Sequence, residues 1–146
     1  MPLYNGGMKG GKTMKMRKLL ALLLAVLMLS GCEYGNTDYV SLDPGESEVY
    51  TEEEILDAMD AVLKQFGKGF GGCVMLKLWY DEQASLKEAE DWADQYDAEE
   101  AIVLHSNYWV DGSGRSPSLN PNSLYQNWMW ILVRSGGKWE VKDWGY

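Results

Sequence analysis

Residues Tyr125 to Tyr146 read YQNWMWILVRSGGKWEVKDWGY. The first ten form a strand pattern that is apolar on both faces through its middle, as expected of an interior strand covered twice. Ser135-Gly136-Gly137 supplies a tight hairpin turn. The remainder then alternates, with Lys138, Glu140 and Lys142 on one side and Trp139 and Val141 on the other, the pattern of a strand near a sheet edge with one wet face. A strand, a short turn and a second strand at this end of the chain demand antiparallel pairing, and the rest of the fold is read around that hairpin.

Upstream, EAIVLHSNYWVD (Glu100 to Asp111) is another strand, and the turn-rich DGSGRSPSLNPNS that follows it opens on Asp111-Gly112, a turn signal. CVMLKLWY (Cys73 to Tyr80) is a further strand, with Val74, Leu76, Leu78 and Tyr80 expected on one face and Lys77 marking a partly wet face. Two helices are expected before and after it. Thr51 and Glu54 make a capping box, three glutamates suit the positive end of the helix dipole, and Ile55, Met59, Val62 and Phe66 form one apolar stripe that Gly67 and Gly69 stop. Ser85 and Glu88 repeat the capping pattern ahead of Ala89, Trp92, Ala93 and Tyr96, which share one side of a short acidic helix. The acid run from Glu88 to Glu100 reads as its solvated face, since a calcium site needs loop carboxylates converging at fixed spacing. The order α-β-α-β-β-β predicts an α+β fold: two helices packed on a curved antiparallel sheet of about four strands.

The N-terminal third has a different composition. Glu33 to Val49, EYGNTDYVSLDPGESEV, has neither helical nor strand period, so residues 32–49 are expected to be a flexible tether and residues 50–146 the single domain. Ahead of it, eleven apolar residues (Leu19 to Leu29) follow a Lys- and Arg-rich stretch, the layout of a secretory signal, and they are about half of what a membrane span requires. Leu29-Ser30-Gly31-Cys32 resembles the lipobox of bacterial lipoproteins. The resemblance implies a leader and signal peptide over residues 1–31, lipid attachment at Cys32, and a protein held at the outer face of the bacterial cytoplasmic membrane. A secreted protein with Cys32 an ordinary thiol is the alternative.

GGMKGGKT (Gly6 to Thr13) matches the phosphate-binding pattern G-x-x-x-x-G-K-[ST]. That motif works only between an entering strand and a leaving helix. Here five residues precede it and the signal's apolar segment follows, so no nucleotide site is expected. Met14 and Met16 stand where a signal normally begins, and residues 1–13 are read as an early start.

Charge excludes further classes. All 22 acidic residues follow Cys32 but only eight of the thirteen basic ones do, leaving the mature chain at −14. Such a balance repels phosphate backbones, so nucleic acid is not an expected partner. With Cys32 lipidated, Cys73 has no intramolecular partner, and its apolar neighbourhood predicts a buried, unreactive thiol. No cofactor motif and no metal-ligand spacing is present in the sequence.

YTEEEILDAMDAV, GCVMLKLWYDEQ, EEAIVLHSNYWVD and LNPNSLYQNWMWILVRSGGKWEVKDWGY together resemble a group of uncharacterised lipoproteins from Gram-positive bacteria that carry a domain of unknown function. That domain looks like a small relative of the cystatin-like, nuclear-transport-factor-2-like superfamily. The resemblance implies a cone-shaped antiparallel sheet wrapped around helices, and no catalytic residue.

His105, the only histidine, is the residue to examine for acid–base work, with Asp143 or Glu140 as the carboxylate that would orient it. Of seven tryptophans, four fall in the last nineteen residues. Core packing explains them simply. A partly open aromatic pocket for a sugar, peptide or other small ligand is the sharper reading, with Trp128 and Trp130 within it and His105, Tyr108 and Trp109 at its rim. The function expected is a surface-tethered, non-catalytic binding or interaction module for a small molecule, glycan or protein; the alternative is an extracytoplasmic enzyme with its site in the concave face around His105.

Overall fold

The computed structural model describes residues 34–146; the leader, the phosphate-loop-like stretch and Cys32 lie outside them. Seven elements follow in order: β1 (Ser41–Asp43), α1 (Glu52–Gly69), β2 (Cys73–Tyr80), α2 (Glu82–Gln95), β3 (Glu100–Val110), β4 (Ser123–Arg134) and β5 (Glu140–Gly145). The α+β class and the order α-β-α-β-β-β hold, with one strand added in front. The sheet has five strands, in spatial order β1-β2-β3-β4-β5. It is mixed, not wholly antiparallel, because the crossover through α1 brings β2 back parallel to β1.

The expected tether is therefore corrected. Gly35 N–H donates to Gly67 O (3.0 Å), Asn36 N–H to Cys73 O (2.8 Å), and Met75 N–H to Asn36 O (2.9 Å). Ser41 to Asp43 then pair with Lys77 to Trp79. What binds this segment is backbone hydrogen bonding, which its Asn, Asp, Pro and Gly composition does not reveal. Lys77 adds an ion pair to Asp43 at 3.2 Å.

Helix α1 starts as expected. Thr51 accepts from the Glu54 amide and the Glu54 carboxylate accepts from the Thr51 amide, so both halves of the capping box are made. Ile55, Met59, Val62 and Phe66 are all buried. The helix runs through Gly67 and ends at Gly69, so Gly67 is not its stop. Helix α2 starts four residues before the expected cap: Asp81 caps it through the Ala84 amide. Ser85 is instead buried, and its hydroxyl accepts the Val103 N–H at 3.0 Å. The reason is geometric. Strand β2 ends at Tyr80 opposite Leu104, so the β3 edge beyond it lacks a strand partner and Ser85 serves as its acceptor.

The two helices use opposite faces of the sheet. Ile102, Leu104, Tyr108, Trp130 and Leu132 join the α1 stripe in the main core. Ala101 and Val133, of opposite parity, join Ala93 of α2 in a second cluster. Trp130 to Val133 are consequently all buried, which is the double coverage their sequence implies. Three register shifts interrupt the pairing, one of them on β5, where Lys142 is the extra residue between Val141 and Asp143. Leu76 is the extra residue of β2 between Met75 and Lys77, so Cys73, Met75, Leu78 and Tyr80 face the core while Val74 and Leu76 do not. On β4 the register breaks between Trp128 and Tyr125, where Asn127 adopts φ 55° and its N–H donates to Asn107 Oδ1 at 3.0 Å. Cys73 is buried and its thiol is pushed up by desolvation, as its neighbourhood implied.

Arg134 closes the end of the domain opposite the shifts on β2 and at Asn127. Its guanidinium bonds the Glu54 carboxylate (2.6 Å) and Glu100, and lies 4.3 Å from the Trp139 ring centre. Trp139 Nε1–H in turn donates to Glu54 O at 3.1 Å. Pairing with Arg134 and the cap bonds hold the Glu54 carboxyl at about 2, below its ordinary 4.5. A depressed carboxyl binds fewer protons folded than unfolded, so its stabilisation is full above pH 4.5 and is lost as pH falls toward 2. Arg134→Met is expected to lower stability at neutral pH by about 2 kcal/mol, through lost cation–π and ion-pair contacts. It is also expected to flatten the acid limb of a stability–pH curve recorded by urea unfolding. An acid limb unchanged in the variant would contradict the assignment.

Candidate functional site

On the α2 face a cleft of about 550 Å³ opens between the helix and the sheet, lined by Asp81, Gln83, Ala84, Lys87 and Glu88 above and Val103, His105 and Met129 below. Its floor is a cross-strand row. His105 pairs with Trp79 on one side and Met129 on the other. The imidazole stacks on the Trp79 indole with centroids 5.8 Å apart and planes at 22°.

Burial favours the neutral form of this imidazole. Burial lowers the His105 pKa, while the nearby carboxylates of Asp81 and Glu88 act in the opposite direction without prevailing. Its Nδ1 is buried and, among the described residues, has no hydrogen-bond partner. Asp81 is held by its capping bond to Ala84, and Glu88 accepts from Trp92 Nε1–H at 3.3 Å, one turn along the helix. The cleft thus presents an imidazole ring, two positioned carboxylates, the Lys87 side chain and the apolar side chains of Val103 and Met129. Hydroxyl and amine groups of a ligand match the acceptors; an extended apolar molecule does not.

The five aromatic and histidine residues singled out from the sequence do not share one pocket. His105 and Trp109 project from the α2 face of β3, and Tyr108 from the other, because neighbouring strand residues alternate. Trp130 is fully buried and its Nε1–H donates to Ser106 Oγ at 2.8 Å, a core role. Tyr108 is also fully buried, stacked on Tyr125 at 5.1 Å, and its hydroxyl is pushed up by desolvation. Trp128 stands edge-on to Tyr108 and lines a different cleft, with Phe70 and Trp144. Asp143 and Glu140 belong to β5, with β4 lying between them and the histidine strand. The carboxylates that do reach His105's surroundings, Asp81 and Glu88, were not singled out. Their signal was the acidic start of α2, and it was legible only once the register against β3 was known.

Among the described residues no group of three His, Cys, Asp or Glu side chains is placed to hold a metal ion, and no helix is long and apolar enough to cross a membrane. No family model, curated protein or solved structure matches the chain.

Proposed function

We propose that the mature chain is a lipid-anchored binding module of the bacterial cell surface, attached through Cys32, and that the cleft over His105 is where its ligand sits. The observation that carries the ligand site is a cleft of about 550 Å³ with the His105 ring, stacked on Trp79, in its floor and the polar side chains of Asp81, Lys87 and Glu88 in its wall. With Asp81 and Glu88 beside it, a small polar ligand such as a sugar, amino sugar or peptide terminus fits the chemistry better than an anion does.

The module reading is preferred over an enzyme because, among the described residues, no carboxylate hydrogen-bonds the imidazole to orient it for proton transfer. The test is a thermal-shift screen of the protein against glycans, cell-wall fragments and peptides, with tryptophan emission followed in parallel. A ligand at about 100 times its Kd adds roughly 2.7 kcal/mol. Because Trp79 stacks on His105, binding should change its emission, and His105→Ala should weaken binding tenfold or more while Trp128→Phe leaves it intact. A ligand whose affinity ignores His105→Ala would overturn the site, and product formation from any panel member would return the enzyme reading.

A further inference from the structure

The lipid-anchor reading has a spatial consequence, because the chain after Cys32 is not free to extend. Gly35 is buried, and a Cβ there would stand 2.5 Å from Phe66 O. Its amide is bonded to Gly67 O. Cys32 is three residues away, and an extended chain spans at most about 3.6 Å per residue, so an anchor there is within about 11 Å of the folded body.

The end of the domain beside Gly35 is rich in exposed aromatic and apolar side chains. Asn36 bridges to Val74, Val74 pairs with Trp109, and Trp109 pairs with Leu124, one continuous row across three strands. Trp109 is 40% and Leu124 48% exposed, and on the other face Trp144 is 39% and Tyr146 75% exposed. Trp144 packs on Phe70, the residue that caps α1 three positions after Gly67. Charge is unevenly distributed along the same axis, with Arg134 pairing Glu54 and Glu100 at the more acidic end. Glu52, Glu53 and Glu54 open α1, Asp81 and Glu82 follow the far end of β2, and Glu99 and Glu100 open β3, all at the opposite ends of these elements. At the near end Lys68 and Arg115 offset Asp38 and Asp111, and Arg115 lies 3.7 Å from the Asp111 carboxylate. An 18-residue helix is about 27 Å long, well beyond the roughly 8 Å over which physiological salt screens charge.

We propose that this end of the domain is a membrane-contact surface. With Cys32 acylated, Trp109, Leu124, Trp144 and Tyr146 rest among the lipid headgroups, where amphipathic rings partition. The acidic ends of α1 and β3 point away from an anionic bilayer. This rests on the lipid-anchored reading above and adds to it a fixed orientation and the absence of a spacer.

The experiment uses the full chain expressed in a bacterium that processes lipoproteins, purified and reconstituted in phosphatidylcholine–phosphatidylglycerol vesicles with and without brominated acyl chains. Flotation with the vesicles and the mass of the N-terminal peptide report the anchor. Tryptophan quenching by bromine reports contact. The expected result is flotation, a blue-shifted emission and quenching that mostly disappears in Trp109→Phe/Trp144→Phe but persists in Trp79→Phe. Inserting about twelve Gly and Ser residues after Glu33, reaching roughly 20 Å, should abolish quenching while flotation is kept. Flotation without quenching in the uninserted protein would overturn the contact surface and leave the anchor standing. Loss of flotation with an unmodified Cys32 would overturn the anchor itself. Quenching that survives both the double substitution and the insertion would place another surface on the membrane.

Discussion

Trp130→Ala is expected to lower stability by about 4 kcal/mol and the unfolding temperature by on the order of 15 °C. The indole is fully buried, its ring centre 5.3 Å from Phe70, 5.8 Å from Trp144 and 6.3 Å from Phe66, so it joins α1 to strands β4 and β5. Truncation leaves a cavity that rings held by α1 and its cap on one side and by β5 on the other cannot close together. It also strips Ser106, itself buried, of the Nε1–H that bonds its hydroxyl. Trp130→Phe keeps most of the packing and loses the donor, so its cost should be smaller, about 1–3 kcal/mol. Calorimetric unfolding of both variants checks the order. A Trp130→Ala protein within a few degrees of the parent would mean that this ring is not packed as described.

Gly35→Ala is the second large effect, and it acts through backbone geometry. The added methyl would meet Phe66 O at 2.5 Å and the Phe66 ring at 2.8 and 2.9 Å. Phe66 cannot retreat, since its ring is packed against Phe70, Tyr108 and Trp130. The less costly response is for the N-terminal segment to leave, forfeiting its backbone bonds and the pairing of β1. The loss is therefore capped by the docking energy of that segment, about 2 kcal/mol. Hydrogen exchange is the sensitive measurement. The Met75 amide, which donates to Asn36 O, should lose its protection while amides of the β3–β4 ladder keep theirs. Unchanged protection at Met75 would contradict the argument. The same substitution should weaken lipid quenching in the vesicle experiment, because it lengthens the lead from Cys32 by undocking it.

The helices and the interior strand were legible because their signals are local and periodic. The stripe Ile55, Met59, Val62, Phe66 and the pair Thr51/Glu54 need nothing but their own spacing, and Trp130 to Val133 announce double coverage by having no polar residue among them. What was illegible depended on partners. Strand β1 is three residues with all side chains exposed, held by pairing to β2 that no composition can display. Leu76 is apolar and in step with Leu78 in sequence, yet a single bulge puts it outside. Ser85 reads as a cap from its spacing to Glu88; its hydroxyl does accept a backbone N–H, but that N–H belongs to Val103 in another element.

The site divides in the same way. His105 stood out as the single histidine, whereas Trp79 and Met129, which flank it in the sheet, are separated from it by 26 and 24 positions and by a register that the bulges shift. Alternation along β3 already separates Tyr108 from His105. Treating the aromatics as one pocket ignored that parity.

The spatial order of the strands, β1-β2-β3-β4-β5, is the order in which they are synthesised. Each strand finds its partner immediately before it in the chain, so no ladder waits for a segment still to come. Contacts of this kind carry small loop-closure costs, and sheets built from them form quickly. A chain threading through a ribosome tunnel or a membrane channel can thus lay the sheet down from β1 onward. The longest hydrogen-bonded reach comes late, when Arg134 and Trp139 bond back across 80 and 85 residues to the first turn of α1. Until those two residues emerge, the capping box of α1 is complete but unclamped, and the last thirteen residues decide when the fold locks.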